Sequence, residues 1–345
     1  MNQASTPSAE ALAAPLATIP AGLKDYVAIA RPDNWAKNVF MLPGVLFAFI
    51  VYRAPVDTAF LAKLLMGLAS TCFVASANYV INEYLDAEFD KFHPLKSKRT
   101  SVVRVVNPVI VYAEWLGLAL AGFALAYQIS VQFLVVSMFL LFMGVMYNVR
   151  PFRTKERVYL DVLSESVNNP IRFALGWFIV APALSISAFD GVALFNSLPP
   201  SSIIVAYWMG GAFLMATKRF AEYRLINNPE LAGLYRKSFR FYTEHSLLIS
   251  MFFYALTSAF LLGIFLVKNR VELLASFPFF ALLFSWYLRI GLLNNSPVQG
   301  SEKLYTRKWF MLYVVLFCLL LVVLMFVKIP FLGQLLEDHY NLNQH

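Results

Sequence analysis

Charge is what this chain has least of. Only 14% of its 345 residues are Asp, Glu, Lys or Arg, while 59% are apolar, against roughly a quarter and a half in soluble domains. That scarcity excludes an ordinary water-soluble fold. Cysteine is nearly absent: Cys72 and Cys318 are the only two, both lie inside apolar segments, and their spacing suits neither a disulfide nor a metal site. They read as packing residues. The first twenty residues are rich in Ala, Ser, Thr and Pro, with no basic n-region and no long apolar core, so they do not read as a secretory signal. A disordered cytoplasmic tail over residues 1–22 is expected instead, followed by one transmembrane domain over 23–330 and a short tail over 331–345.

What is abundant is apolar sequence in runs of about twenty residues, each long enough to cross the roughly 30 Å hydrocarbon layer as a helix. Backbone groups in lipid must be satisfied internally, which leaves helices or a closed barrel. The unbroken run over 311–327, where a barrel strand would alternate over about ten residues, decides for helices. Nine spans are predicted, over 39–52, 58–85, 105–127, 131–147, 160–181, 203–220, 247–267, 273–292 and 309–327. The expected fold class is thus an all-α, multi-pass bundle in the bilayer. Pro43 and Gly44 predict a kink or tilt in the first span.

The net charge of +8 is read as basic cytoplasmic loops and anionic substrates, with no nucleic-acid partner. Nine spans sort the loops into two sets. The set containing the N-terminal segment holds 22 of the 28 Lys and Arg, and the opposite set holds Arg53, Lys268, Arg270 and Lys328, while Lys63 and Arg172 lie within spans. By the positive-inside rule the N-terminus is cytoplasmic, in the cell (inner) membrane.

The few acidic residues are clustered. Asn78, Asn82, Asp86 and Asp90 recur every four residues, with Glu83 and Glu88 beside them. Four residues turn a helix through about 400°, so these side chains form one slowly drifting polar stripe at the cytoplasmic end of span two. The bland reading is a solvated helix end. The chemical reading is hard divalent cations held by oxygen ligands, because like charges so arranged need counter-cations. A basic loop follows, with Lys91, His93, Lys96, Lys98 and Arg99, as a metal-bound polyphosphate would require, although positive-inside loops are basic in any case. His93, before Pro94, reads as a turn-positioning residue. Asp161, Glu165, Asn168, Asn169 and Arg172 open span five. Arg172, eleven residues on from Asp161, returns to within about 20° of it, so one face stays polar for about three turns and must look into a cavity or partner. The loop before it supplies Arg150, Arg153, Lys155 and Arg157, and a third loop supplies Lys218, Arg219, Glu222, Arg236, Lys237, Arg240 and Tyr242. For Lys218, Arg219 and Glu222 a structural salt bridge at i, i+3 or i, i+4 is the default. Arg31, Trp35, Lys37 and Asn38 precede span one, a commonplace interfacial anchor.

Taken together, Asn82-Glu83-Tyr84-Leu85-Asp86-Ala87-Glu88-Phe89-Asp90 resembles the Asn-Asp-x-x-Asp-x-x-x-Asp signature of the UbiA superfamily of intramembrane prenyltransferases. Asp161-x-x-x-Glu165 falls where that family has its second acidic motif. Three stretches are similar to the branch that transfers a 5-phosphoribosyl group to decaprenyl phosphate: Arg31 to Asn38, His93 to Lys96 with Arg99, and Lys218 to Glu222 followed by Tyr235 to Ser238 and by Tyr242-Thr243. Glu83 departs from the usual aspartate, Thr100 from a frequent proline, and the stretch from Tyr147 to Trp177, with its Asn168-Asn169-Pro170, from the branch pattern.

The resemblance implies a Mg²⁺-dependent transferase with phosphoribosyl pyrophosphate as donor and a polyprenyl phosphate as acceptor. The metal would be held by Asn82, Asp86, Asp90, Asp161 and Glu165, with Asp86, Asp90, Asp161 and Lys37 as catalytic residues. Lys96, Arg99, Arg153, Lys155, Arg172, Lys218, Arg219, Arg236 and Tyr242 would bind substrate. Two rivals stand beside it. An aromatic prenyltransferase would use the same carboxylates on a prenyl diphosphate, and a transporter would place its polar groups nearer mid-membrane. Oligomeric state is not legible.

Overall fold

The structure is a computed structural model and describes residues 19–184, 190–294, 296–299, 304 and 306–332. The tails expected over 1–22 and 331–345 lie almost wholly outside the described residues. Among those described, every regular element is helical; the single β-bridge joins Pro20 to Val105.

In chain order the α-helices are α1 (Leu23–Ile29), α2 (Leu42–Tyr52), α3 (Thr58–Asp90), α4 (Thr100–Val103), α5 (Pro108–Ile129), α6 (Val131–Asn148), α7 (Leu160–Ser166), α8 (Asn168–Val180), α9 (Gly191–Ser197), α10 (Ser201–Ile226), α11 (Pro229–Tyr235), α12 (Glu244–Asn269), α13 (Phe277–Gly291) and α14 (Lys308–Phe326). Several of their starts are written in the sequence as side-chain caps. Asp57 accepts from Phe60 N at 2.8 Å, Ser130 from Phe133 N at 3.1 Å, and Thr243 exchanges bonds with Ser246.

Seven described helices are long and apolar enough to cross a membrane, or eight when α9 and α10, bent by 73°, count as one broken span. Among the described residues these are fewer than the nine expected. Span five divides: α7 ends at Ser166 and α8 restarts at Asn168, beside Pro170, which has no N–H to continue the ladder. Span one is longer than expected, because α1, a 3₁₀ stretch over Pro32–Met41 and α2 run in sequence from Leu23 to Tyr52.

Helix α3 has 33 residues, so at 1.5 Å per residue it is about 50 Å long and outreaches the hydrocarbon layer. Its acidic end is thereby carried to the boundary of the bundle. The α2–α8 crossing positions span five. A Cβ on Gly44 would stand 1.9 Å from the Phe173 carbonyl oxygen, and one on Gly176 would stand 1.9 Å from that of Met41. Only glycine permits so close an approach. Around this crossing Met41, Val45, Phe133, Leu140, Leu175 and Phe178 form one core cluster. A second, with Phe213, Phe220, Phe239 and Leu247, ties α10 and α12 to the 235–242 segment.

Candidate functional site

The C-terminal ends of α3, α6 and α10, the start of α7, and the loops over 91–99, 149–159 and 235–242 meet in one polar layer. The α3 stripe divides along its length. Asn78 donates to Leu140 O at 2.9 Å and lies so close to Gly144 that a Cβ there would overlap its side chain. It therefore joins helices. One turn on, Asn82 donates to Asn148 Oδ1 at 2.5 Å and to Asp86 Oδ2 at 3.3 Å. Asp86 is paired with Arg153 at 3.1 Å and with Lys155. The Lys155 ammonium also reaches Asn148 Oδ1 at 2.7 Å. Asp90, buried, meets Arg99 at 2.5 Å. Glu83 is buried 4.0 Å from Arg31, and Glu88 is exposed.

The second motif is held by a different set of cations. Asp161, fully buried, accepts from Tyr242 at 2.6 Å and Ser238 at 3.2 Å, and faces Arg219 at 3.3 Å and Arg236 at 3.9 Å. Glu165 pairs with Arg219 and accepts from Tyr147 OH at 2.7 Å. At the break near Val167, Asn168 Nδ2 donates to Glu165 O at 3.0 Å and Arg172 Nη1 donates to Asn168 O at 3.3 Å, while Asn168 Oδ1 is buried without a hydrogen-bond partner among the described residues. Glu222, expected to pair with Lys218 or Arg219, meets Arg219 at 2.9 Å and Lys96 at 2.7 Å, and is not paired with Lys218. Lys96 also contacts the Tyr235 hydroxyl.

Tyr147 joins the halves. Its hydroxyl accepts from Arg219 at 3.1 Å and Arg236 at 3.2 Å, while the Lys155 ammonium lies over its ring at 5.7 Å. The structure thus brings together Asn82, Asp86, Asp90, Asp161, Glu165, Lys96, Arg99, Arg153, Lys155, Arg219, Arg236 and Tyr242 as one network. Arg172 adjoins this network through Asn168, whose side chain donates to Glu165 O. Lys37 stands 5.8 Å from the Tyr79 ring, and Arg172 donates to Asn38 at 2.9 Å. Among the described residues no ion pair involves Arg172 or Lys218.

Electrostatics follow this crowding. Burial pushes the Lys155 ammonium down to about 8, against the pull of the Asp86 carboxylate. Burial also disfavours the charge on Arg99, but Asp90 and Glu83 outweigh it and raise its pKa. Burial takes His93 down to about 3, so its Nδ1 is free to accept from Leu95 N at 3.1 Å and Lys96 N at 3.2 Å. The turn-positioning reading of His93 agrees with those bonds. Sequence reasoning missed Tyr147 and Asn148, neutral residues at the end of an apolar run. Their only signal is their place immediately before the basic loop.

Whether a divalent cation suits this site is decided by its donors. Among the described residues no three carboxylate, imidazole or thiolate side chains converge as a ready metal cage. The oxygen atoms of Asp86 and Asn148 do converge, however, on the hard ammonium cation of Lys155. Oxygen donors gathered around a compact cation are the chemistry that Mg²⁺ takes, so these residues fit the ion once a ligand draws the lysine away.

Among the described residues an all-helical bundle with several apolar, membrane-length helices buries carboxylates and cations together at one end, the fold of a multi-pass membrane protein with a polar site. The UbiA prenyltransferase family profile matches residues 40–302, and the chain belongs to that family and is a transferase. It is 29% identical over 220 residues to the decaprenyl-phosphate phosphoribosyltransferase of Mycolicibacterium smegmatis, a match covering 62% of this chain and 61% of that enzyme. It is 28% identical over 240 residues to the enzyme of the same name from Mycobacterium tuberculosis, covering 69% of this chain and 71% of that one. A solved UbiA homologue from Archaeoglobus fulgidus, bound to GPP and Mg²⁺, shares the fold with a TM-score of 0.61. It is 18% identical and matches over 88% of this chain and 98% of its own.

Proposed function

We propose that the protein transfers the 5-phosphoribosyl group of phosphoribosyl pyrophosphate to a polyprenyl phosphate, with Mg²⁺, at the cytoplasmic face of the cell (inner) membrane, its N-terminus on that side. The observation that carries this reading is an excess of cations. Asp86, Asp90, Asp161, Glu165 and Glu222 are each already paired in the ligand-free network, yet Lys218 and Arg172 have no ion pair among the described residues. A donor with two separated anionic groups answers that excess, whereas a prenyl diphosphate has one anionic end.

In this account the basic residues act as placeholders for the substrate's counter-ions. When phosphates enter, Lys96, Arg99, Arg153, Lys155, Lys218, Arg219 and Arg236 turn to their oxygen atoms as charge-assisted donors. Asn82, Asp86 and Asp90, with Asp161 and Glu165, would then be free to hold one or two Mg²⁺ ions, which would neutralise charge on the departing pyrophosphate. Tyr242 and Ser238 hold Asp161 in orientation, and Tyr147 keeps Arg219 and Arg236 aligned through hydroxyl bonds. An oxygen of the acceptor phosphate bonds to ribose C1 as the C1–O bond to pyrophosphate breaks. That oxygen is already anionic, so no general base is needed. Lys37 would meet the acceptor phosphate, with the prenyl tail among the apolar spans.

Thermal unfolding of the purified protein in Mg²⁺ tests donor choice. A ligand bound at 100 times its Kd adds about 2.7 kcal/mol of stability. Stabilisation by phosphoribosyl pyrophosphate is the expected result. Stabilisation by geranyl diphosphate alone would transfer the reading to aromatic prenyl transfer.

A further inference from the structure

Away from this network, the end of α13 and the start of α14 enclose an open cleft of about 580 Å³. Arg289, Arg307 and Lys308 line it together with Trp286, Trp309 and Phe310. Among the described residues no ion pair involves any of these three cations. Three cations converging in one concavity repel one another and attract an anion. Basic loops satisfy membrane topology wherever their charges lie, so topology alone does not account for the convergence.

The walls give the nature of that anion. Trp286 packs edge-on against Phe310 at 5.8 Å, which is buried, and beside Tyr313 at 5.5 Å. Trp309 is 78% exposed at the first turn of an apolar span. Paired tryptophans at such a level mark the headgroup region of the bilayer. The cleft is therefore cationic above and aromatic below, as a phospholipid is anionic above and apolar below. It also opens on the same face as the transferase site. Arg224 donates to Leu292 O at 3.0 Å and Gln299 to Ala221 O at 3.0 Å, fastening Leu292 and Gln299 to the end of α10 that carries Arg219 and Glu222.

We propose that this cleft is a binding site for the headgroup of an anionic phospholipid, distinct from the site of transfer. Arg289, Arg307 and Lys308 meet the phosphate oxygens. Trp286, Trp309 and Phe310 receive the glycerol backbone and the first methylenes. This inference does not rest on the identity of the donor or acceptor.

Native mass spectrometry of the full chain with phosphatidylglycerol, phosphatidylcholine, glycerol 1-phosphate and polyprenyl phosphate tests it. One phosphatidylglycerol should be retained in preference to phosphatidylcholine. Each cation near an anionic headgroup contributes roughly fivefold in affinity, so the triple variant Arg289→Gln/Arg307→Gln/Lys308→Gln should bind it on the order of a hundredfold more weakly. The control Lys24→Gln/Lys98→Gln/Arg240→Gln removes the same charge from exposed positions elsewhere and should change binding by less than about threefold, the scale of surface charge effects. A photoreactive phosphatidylglycerol on the wild-type protein should label peptides over 286–293 and 306–310. Equal retention in the two triple variants, or labelling without enrichment there, overturns the proposal. So does displacement by glycerol 1-phosphate at matching concentration, which would mark a soluble-anion site. Preferential displacement by polyprenyl phosphate would reassign the cleft to the acceptor lipid.

Discussion

Lys218→Gln separates the two roles that a half-buried lysine could have. Lys218 sits one residue before Arg219, whose guanidinium meets Asp161 at 3.3 Å and Glu222 at 2.9 Å, and yet Glu222 takes its second cation from Lys96 at 2.7 Å. Removing the Lys218 ammonium therefore breaks no ion pair among the described residues, and the folded state should lose little. A hydrogen bond between an ionised donor and a phosphate contributes about 1.5–3 kcal/mol, which is roughly tenfold to 150-fold in binding. The expected result is a donor KM raised by that factor, with an unchanged unfolding midpoint in detergent. Lys96→Gln is the contrasting variant, since it leaves Glu222, whose side chain is fully buried, with Arg219 alone. It should raise KM and also lower stability by about 1–3 kcal/mol, the cost of leaving a buried polar group short of a partner. If Lys218→Gln lowers the midpoint as Lys96→Gln does while donor KM stays at the wild-type value, the placeholder argument fails.

Three further outcomes are expected. Asp86→Asn and Asp161→Asn should each reduce turnover by at least roughly tenfold at saturating Mg²⁺, with the protein still folded and inserted; near wild-type rates in either would contradict a shared metal site. Gly176→Ala drives a Cβ to 1.9 Å from the Met41 carbonyl oxygen, and separating α2 from α8 should cost about 1–3 kcal/mol or more, read as a lower midpoint, whereas unchanged stability would show that the crossing yields. Single cysteines at Lys98 and Lys268, in a background lacking Cys72 and Cys318, should react with impermeant reagent from opposite sides of sealed vesicles. Reaction of both from one side would overturn the topology.

Much of the bundle was legible because the bilayer imposes one rule, and long apolar runs obey it. The run over 311–327 and the capped starts of α5, α6 and α12 needed no tertiary information. The count of nine was less secure, since Pro170 and the polar run at 161–169 split span five into helices of 7 and 13 residues. The acidic stripes were legible by their four-residue spacing. What each stripe touches was not. Asn78 shares the spacing of Asn82 and Asp86 but is claimed by the α3–α6 contact at Gly144, which depends on a glycine 66 positions away. Glu222 looked like a partner for its helical neighbours, yet half of its charge is met by Lys96, 126 residues distant. Tyr147 carries no charge and was marked only by its place before the basic loop, although its hydroxyl links Glu165, Arg219 and Arg236.

The central claim, a phosphoribosyl donor, is tested most directly by transfer itself. Purified protein with Mg²⁺ is given labelled phosphoribosyl pyrophosphate and polyprenyl phosphate, and in parallel labelled polyprenyl diphosphate and 4-hydroxybenzoate. Label passing into the lipid fraction in the first mixture, with no prenylated aromatic product in the second, is the expected result. Product in the second mixture alone would contradict the donor assignment.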